Sequence, residues 1–158
     1  MVLLRKPQRF VRSSFGTCEP HASSYLIFHS GREALPSFQY RIKVLVSVSC
    51  LHVAEHIGLG RYGDPIDPLG TNKALLELQR VLAPGGVLLF SMPVGRERVE
   101  FNAQRIWDPR RSIEVLQELK LVEFSGVDDD GKFLQNTDPQ QLVNAKYGCG
   151  FYRFIRSR

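Results

Sequence analysis

The chain has 158 residues, enough for one domain, and its 43% hydrophobic and 23% charged residues are those of a soluble globular protein. No apolar run approaches the roughly 20 residues that a membrane span requires. The net charge is +5, which suits anionic ligands, but Lys and Arg are scattered without an aromatic-basic stripe, so nucleic acid is not an expected partner.

Cys18, Cys50 and Cys149 are widely spaced and form no C-x-x-C, so they make a poor disulfide framework and point to a reducing compartment. The first residues carry Arg5, Lys6, Arg9, Arg12, Ser13 and Ser14 and no acid, a composition close to that of an organellar transit peptide. Pro7 interrupts the amphipathic helix that such a peptide forms. The expectation is a cytoplasmic protein with a poorly ordered tail, organellar import being the alternative.

Residues 1–41 read as a leader of unclear structure, with one short strand at 24–29, and residues 42–158 as the α/β domain. Ile42, Val44, Val46 and Val48 alternate with Leu45 on the other side, which predicts a buried strand ending at Ser49-Cys50. Residues 58–70, with Gly58, Gly60, Gly63, Pro65, Pro68 and Gly70, predict a loop. The stripe Ala74, Leu75, Leu78, Val81 and Leu82 predicts a helix over 71–82, closed by Ala83-Pro84-Gly85-Gly86. Val87-Leu88-Leu89-Phe90 follows as a second strand, making a βαβ unit with parallel strands. Asp108-Pro109 starts another helix, with Ile113, Leu116 and Leu119 as its buried face. Leu121–Val127 is a strand, 138–144 a short helix and Cys149–Ile155 the last strand. The pattern is α/β, with a sheet covered on both faces.

Two motifs overlap between the first strand and the helix. His52-Val53-Ala54-Glu55-His56 fits H-x-x-E-H, a zinc-hydrolase pattern. The i, i+4 spacing of His52 and His56 fits one helical face, but the motif directly follows a strand, Gly58 and Gly60 leave room for only about two turns, and no third ligand is marked out, so no metal is assigned. Gly58-Leu59-Gly60-Arg61-Tyr62-Gly63 fits G-x-G-x-x-G, but a dinucleotide loop follows its strand at once and opens a helix on the pyrophosphate. Here His52–Ile57 intervene and Asp64-Pro65 follow, so a glycine-rich surface loop is the simpler reading.

The strand, the Glu55-His56 segment and Arg80-Val81-Leu82-Ala83-Pro84-Gly85-Gly86 together resemble the second half of a class I S-adenosylmethionine-dependent methyltransferase. The runs Glu55–Pro65, Phe101–Ile106 and Tyr147-Gly148-Cys149-Gly150 are similar to a subgroup known only as a domain of unknown function. The resemblance covers residues 42–156. It implies a partial doubly wound sheet, mostly parallel with an antiparallel C-terminal strand, and S-adenosylmethionine at the C-terminal ends of the parallel strands. It also implies that Ser49, Cys50, Leu51 and His52 line the cofactor side. His52, Glu55 and His56 would be catalytic, a histidine acting as base with Glu55 orienting it. Arg61, Tyr62, Asp64, Asn102 and Arg105 would face the acceptor, a small molecule or glycan. Trp107 fits core packing or stacking on a substrate equally well.

The family's glycine loop and ribose-binding acid should precede residue 42, where only Gly16, Gly31, Glu19 and Glu33 stand; Leu35-Pro36-Ser37-Phe38 resembles the stretch just before the fourth strand. The expectation is an N-terminally truncated copy with weak or absent cofactor binding and an open edge on the first strand of the domain. That edge would be a site for self-association. A non-catalytic pseudoenzyme or interaction module is the alternative function, and a zinc hydrolase through His52, Glu55 and His56 the remote one.

Overall fold

The computed structural model describes residues 25–28, 43 and 45–158, the first stretch as backbone only. Cys18, the basic N-terminus, Leu35–Phe38, Ile42 and Val44 lie outside the described residues. The elements in chain order are β1 (Tyr25–Phe28), β2 (Leu45–Leu51), a 3-10 turn (Ala54–His56), α1 (Gly70–Val81), β3 (Leu82–Val94), β4 (Arg98–Val99), β5 (Arg105–Ile106), α2 (Pro109–Val115), β6 (Leu119–Val127), β7 (Phe133–Leu134), a second 3-10 turn (Pro139–Leu142) and β8 (Gly148–Arg156).

One six-stranded sheet has the order β1-β2-β3-β8-β6-β7, and β4 and β5 form a separate ribbon. β1 and β2, and β2 and β3, are parallel, while β8 is antiparallel to both β3 and β6. The mostly parallel sheet with an antiparallel last strand is therefore present. β1 pairs with β2 from Ser47 to Cys50, so the edge expected to be open on β2 is filled by a strand from the stretch read as a leader.

The α1 stripe folds as the periodicity requires: Ala74, Leu75, Leu78 and Val81 are buried, and the chain passes straight into β3 at Leu82. The expected turn at Ala83–Gly86 is instead an irregular start to β3. Leu45 pairs with Leu82 and Ser47 with Val87, so Ala83–Gly86 lie opposite the single residue Val46. This bulge turns Leu45 inward and leaves Val46 exposed, the reverse of what simple alternation predicts. At the start of α2, the Asp108 side chain accepts from Arg110 N at 2.9 Å, with Pro109 in the first turn. The helix ends at Val115; Leu116 and Leu119 are buried beyond it.

The core lies on one face of the sheet. Val48, Cys50, Leu88, Phe90, Met92, Tyr152 and Phe154 point into it and meet Leu75, Leu78 and Leu116. The Tyr152 hydroxyl donates to Pro109 O at 2.9 Å and Ser112 Oγ lies 3.5 Å from Met92 Sδ, which fixes α2 on this face. Among the described residues no helix covers the opposite face, where Leu51, Leu89 and Phe151 are 52%, 41% and 38% exposed. Both described α-helices pack on the same side, so alternate strand residues meet no helix.

Leu75 is fully buried under the sheet. Leu75→Ala should lower stability by about 2–5 kcal/mol, measured as a shift in the urea midpoint without a change in slope.

Candidate functional site

β2 ends at Leu51, and the backbone then turns sharply. His52 takes φ 52, in the left-handed region that histidine tolerates better than most residues. Its N–H donates to Ser91 O at 3.1 Å, which ties the turn to β3. The 3-10 turn Ala54–His56 follows and buries Glu55 to 1% exposure.

His52 Nδ1 lies 3.2 Å from Glu55 Oε1, and His52 Nε2 lies 3.2 Å from Cys149 Sγ on β8. Both ring nitrogens thus face acceptors, the arrangement that suits a protonated imidazole. The Cys149 hydrogen bond, then the Glu55 hydrogen bond, raise the His52 pKa to about 10 against a smaller opposing effect of burial. His56 is placed differently. Its Nδ1 lies 3.0 Å from Ala103 O, and its Nε2 is 3.9 Å from Glu55 Oε1. His56 therefore bridges the turn to the segment before β5, with its side chain 15% exposed.

Of the residues expected on the cofactor side, Ser49 and Leu51 alternate toward the outer face with Leu51 exposed, whereas Cys50 turns into the core. Burial, then the charge of Glu55, push the Cys50 thiol up to about 12, so it is an inert packing group.

The acceptor-side set divides. Arg61, Tyr62 and Asn102 are exposed; Arg61 Nη1 donates to Ala103 O at 2.9 Å and its guanidinium lies over the Tyr62 ring. Asp64 serves its own loop. Its carboxylate accepts from Gly58 N at 2.6 Å and Tyr62 N at 3.3 Å. Desolvation pulls the Asp64 pKa up, but these backbone donors outweigh it and hold the carboxyl below its ordinary value.

Arg105 is a correction. Expected to face an acceptor, it is only 5% exposed, and its guanidinium donates to Ile57 O, to Asp67 O at 3.0 Å, to Gly58 O at 3.4 Å and to Thr71 Oγ1 at 3.2 Å. Desolvation lowers its pKa, opposed by Asp67 and Asp64. A guanidinium with these partners has no fork left for a ligand. Trp107 is likewise core, buried beneath the Arg111 guanidinium at 4.5 Å.

These contacts decide what the two motifs are. Gly58 has φ 77, and a Cβ there would collide with Asp67 O; a Cβ on Gly70 would come within 2.8 Å of Ile57 O. The glycines thus permit a backbone crossing, and the Gly58 amide is taken by Asp64 rather than left for a phosphate. His52 and His56 share no helix, and no group of three or more His, Cys, Asp or Glu that could hold a metal occurs among the described residues.

A family model described as "Caenorhabditis protein of unknown function, DUF268" matches residues 33–146. No curated protein matches. Among solved structures, the cyclase SpnF aligns with a TM-score of 0.52 at 14% identity, over 79% of this chain and 55% of that one. The N-methyltransferase NodS from Bradyrhizobium japonicum WM9, in complex with S-adenosyl-L-homocysteine, gives 0.46 at 16% identity, over 79% and 51%. The chain spans about half the length of these structures. The shared feature is the fold, a methyltransferase-like α/β arrangement.

Two outcomes follow from the geometry. Replacing Arg105 with Met takes the side-chain donor from Ile57 O and the second partner from Gly58 O, Asp67 O and Thr71 Oγ1, so Arg105→Met should cost roughly 3 kcal/mol and speed amide exchange across residues 57–71. The folded pKa of His52, about 10, exceeds its ordinary 6.5, so its contribution to stability is complete below pH 6.5 and fades as pH rises through 10. The difference in melting temperature between the native chain and His52→Asn should therefore shrink from pH 6 to pH 10, followed by thermal denaturation.

Proposed function

The chain belongs to the Caenorhabditis family of unknown function DUF268, and from that premise we propose that it is a methyltransferase-derived domain that keeps the proton-handling side of the site and binds S-adenosylmethionine weakly. The carrying observation is Glu55, a buried carboxylate at the C-terminal end of β2 that orients His52. In open α/β sheets ligands lie outside these strand ends. An acceptor, a small molecule or glycan, would lie over His52, with Arg61, Tyr62 and Asn102 around it. Once it has released its own Nε2 proton, His52 would take up the proton that the acceptor gives up, and Glu55 would fix the ring.

The described residues do not fit the cofactor. A doubly wound sheet opens its crevice where the strand order reverses, yet β1, β2 and β3 stand side by side in chain order. The free amides of a glycine turn are lacking, because the Gly58 N–H is held by Asp64. Glu55 is too buried, and too committed to His52, to hold a ribose.

The exposure of Leu51, Leu89 and Phe151 on one sheet face favours a second reading, an interaction module that uses its outer sheet face.

Calorimetric titration with S-adenosylhomocysteine tests the first reading. No saturable binding is expected below about 100 μM, a loss of at least about 2.7 kcal/mol against a micromolar site. Saturable micromolar binding by the folded chain would overturn it.

A further inference from the structure

Cys149 sits on β8, paired with Pro93 on one side and Val127 on the other. Its neighbours Gly148 and Gly150 are buried toward the core side, while Cys149 itself is only half-buried. The fold brings its Sγ to 3.2 Å from His52 Nε2, across 97 residues of sequence. His52 Nδ1 in turn meets Glu55 Oε1 at 3.2 Å. Sulfur, imidazole and buried carboxylate thus stand in the order nucleophile, base and orienter. Two further features separate this from chance proximity. His52 is held in the left-handed region, at φ 52, by its N–H bond to Ser91 O. Glu55 Oε2 is buried and has no hydrogen-bond partner among the described residues, a polar atom left over beside the pair.

We infer that Cys149 is a nucleophile that adds to α,β-unsaturated carbonyl compounds, with His52 carrying the proton and Glu55 positioning the ring. The sulfur attacks the β-carbon; an S–C bond forms as the C=C π bond breaks. The electron pair moves to the α-carbon, which takes the proton from His52 Nε2. That proton is the one the thiol gave up, so nothing is oxidised or reduced and no leaving group departs. Acyl transfer fits less well. It needs backbone N–H donors around the developing oxyanion, and the Cys149 backbone is paired on both sides within the sheet. The body of the electrophile has an apolar floor. Leu51, Ser91 and Phe151 lie in one cross-strand row on the outer face, next to the row of Pro93 and Cys149, and Leu51 and Phe151 are both exposed.

The test is the rate of N-ethylmaleimide addition to the full chain at neutral pH, followed by peptide mapping. Cys50, buried and with its thiol pushed up to about 12, is the internal control for an intact fold. Cys18 lies outside the described residues and is resolved by the mapping. Cys149 should react far faster than Cys50, and His52→Asn should slow it by about tenfold or more, since a positioned base is worth at least that much. Asn suits the left-handed backbone, so the turn is kept. A variant that merely loosened the fold would speed labelling at both cysteines, the opposite of the expected result. Equal rates in the native chain and His52→Asn, or a Cys149 no faster than Cys50, would overturn the inference. The readout uses no cofactor, so it stands or falls apart from S-adenosylhomocysteine binding.

Discussion

Arg105 carries a positive charge into a pocket of carbonyl oxygens, and the site is shaped around that fact. A buried guanidinium is tolerated only where its donors are met. Ile57 O, Gly58 O, Asp67 O and Thr71 Oγ1 meet them. The loop between the 3-10 turn and α1 is therefore folded back on itself at both ends. Thr71 Oγ1 also donates to Ala54 O at 2.7 Å, which passes the constraint to the turn that carries Glu55. Because Glu55 is fixed, His52 is fixed, and the ring meets Cys149. A clamp in one loop thus sets the geometry of side chains on β2 and β8 that it does not touch.

The one-sided packing of the sheet has a related consequence. Core residues on β2, β3 and β8 are large and sealed by α1 and α2. Their alternate neighbours, with only strand contacts, form an outer face where apolar Leu89 lies beside the ion pair of Arg153 and Glu123, 3.8 Å apart. An exposed pair of this kind contributes little to stability. Stability is therefore concentrated in the inner layer, while the outer face, which carries Ser49, Leu51 and Cys149, is free to hold chemistry.

What the sequence reveals depends on the range of the interaction. The α1 stripe is legible because Ala74, Leu75, Leu78 and Val81 face one side by local geometry alone. Asp108-Pro109 is legible for the same reason, since the cap is made to Arg110 two residues on. The bulge at Val46 is not, because it arises from Ala83–Gly86 on another strand. Arg105 looks like a ligand contact in the sequence because its partners lie 34 to 48 residues away. Cys149 carried no signal beyond its place in Tyr147-Gly148-Cys149-Gly150, because pairing with His52 exists only once β8 lies beside β3.

The overlapping H-x-x-E-H and G-x-G-x-x-G patterns share a physical origin in the reversal of the chain. A chain leaving a strand end must reverse direction within a few residues, and histidine and glycine are among the types that accept a positive φ. His52 and Gly58 supply it at the two bends. The reversal buries backbone polar groups, which must be met from within. Asp64 and Arg105 meet them, one for the amides and one for the carbonyls. Residue types that bind metals or phosphates elsewhere here satisfy the loop itself. Glu55 departs from that economy: its Oε2 is buried without a partner among the described residues. Self-satisfaction of the loop does not require that atom, so the carboxylate is better explained by what it does to His52 than by the turn in which it sits.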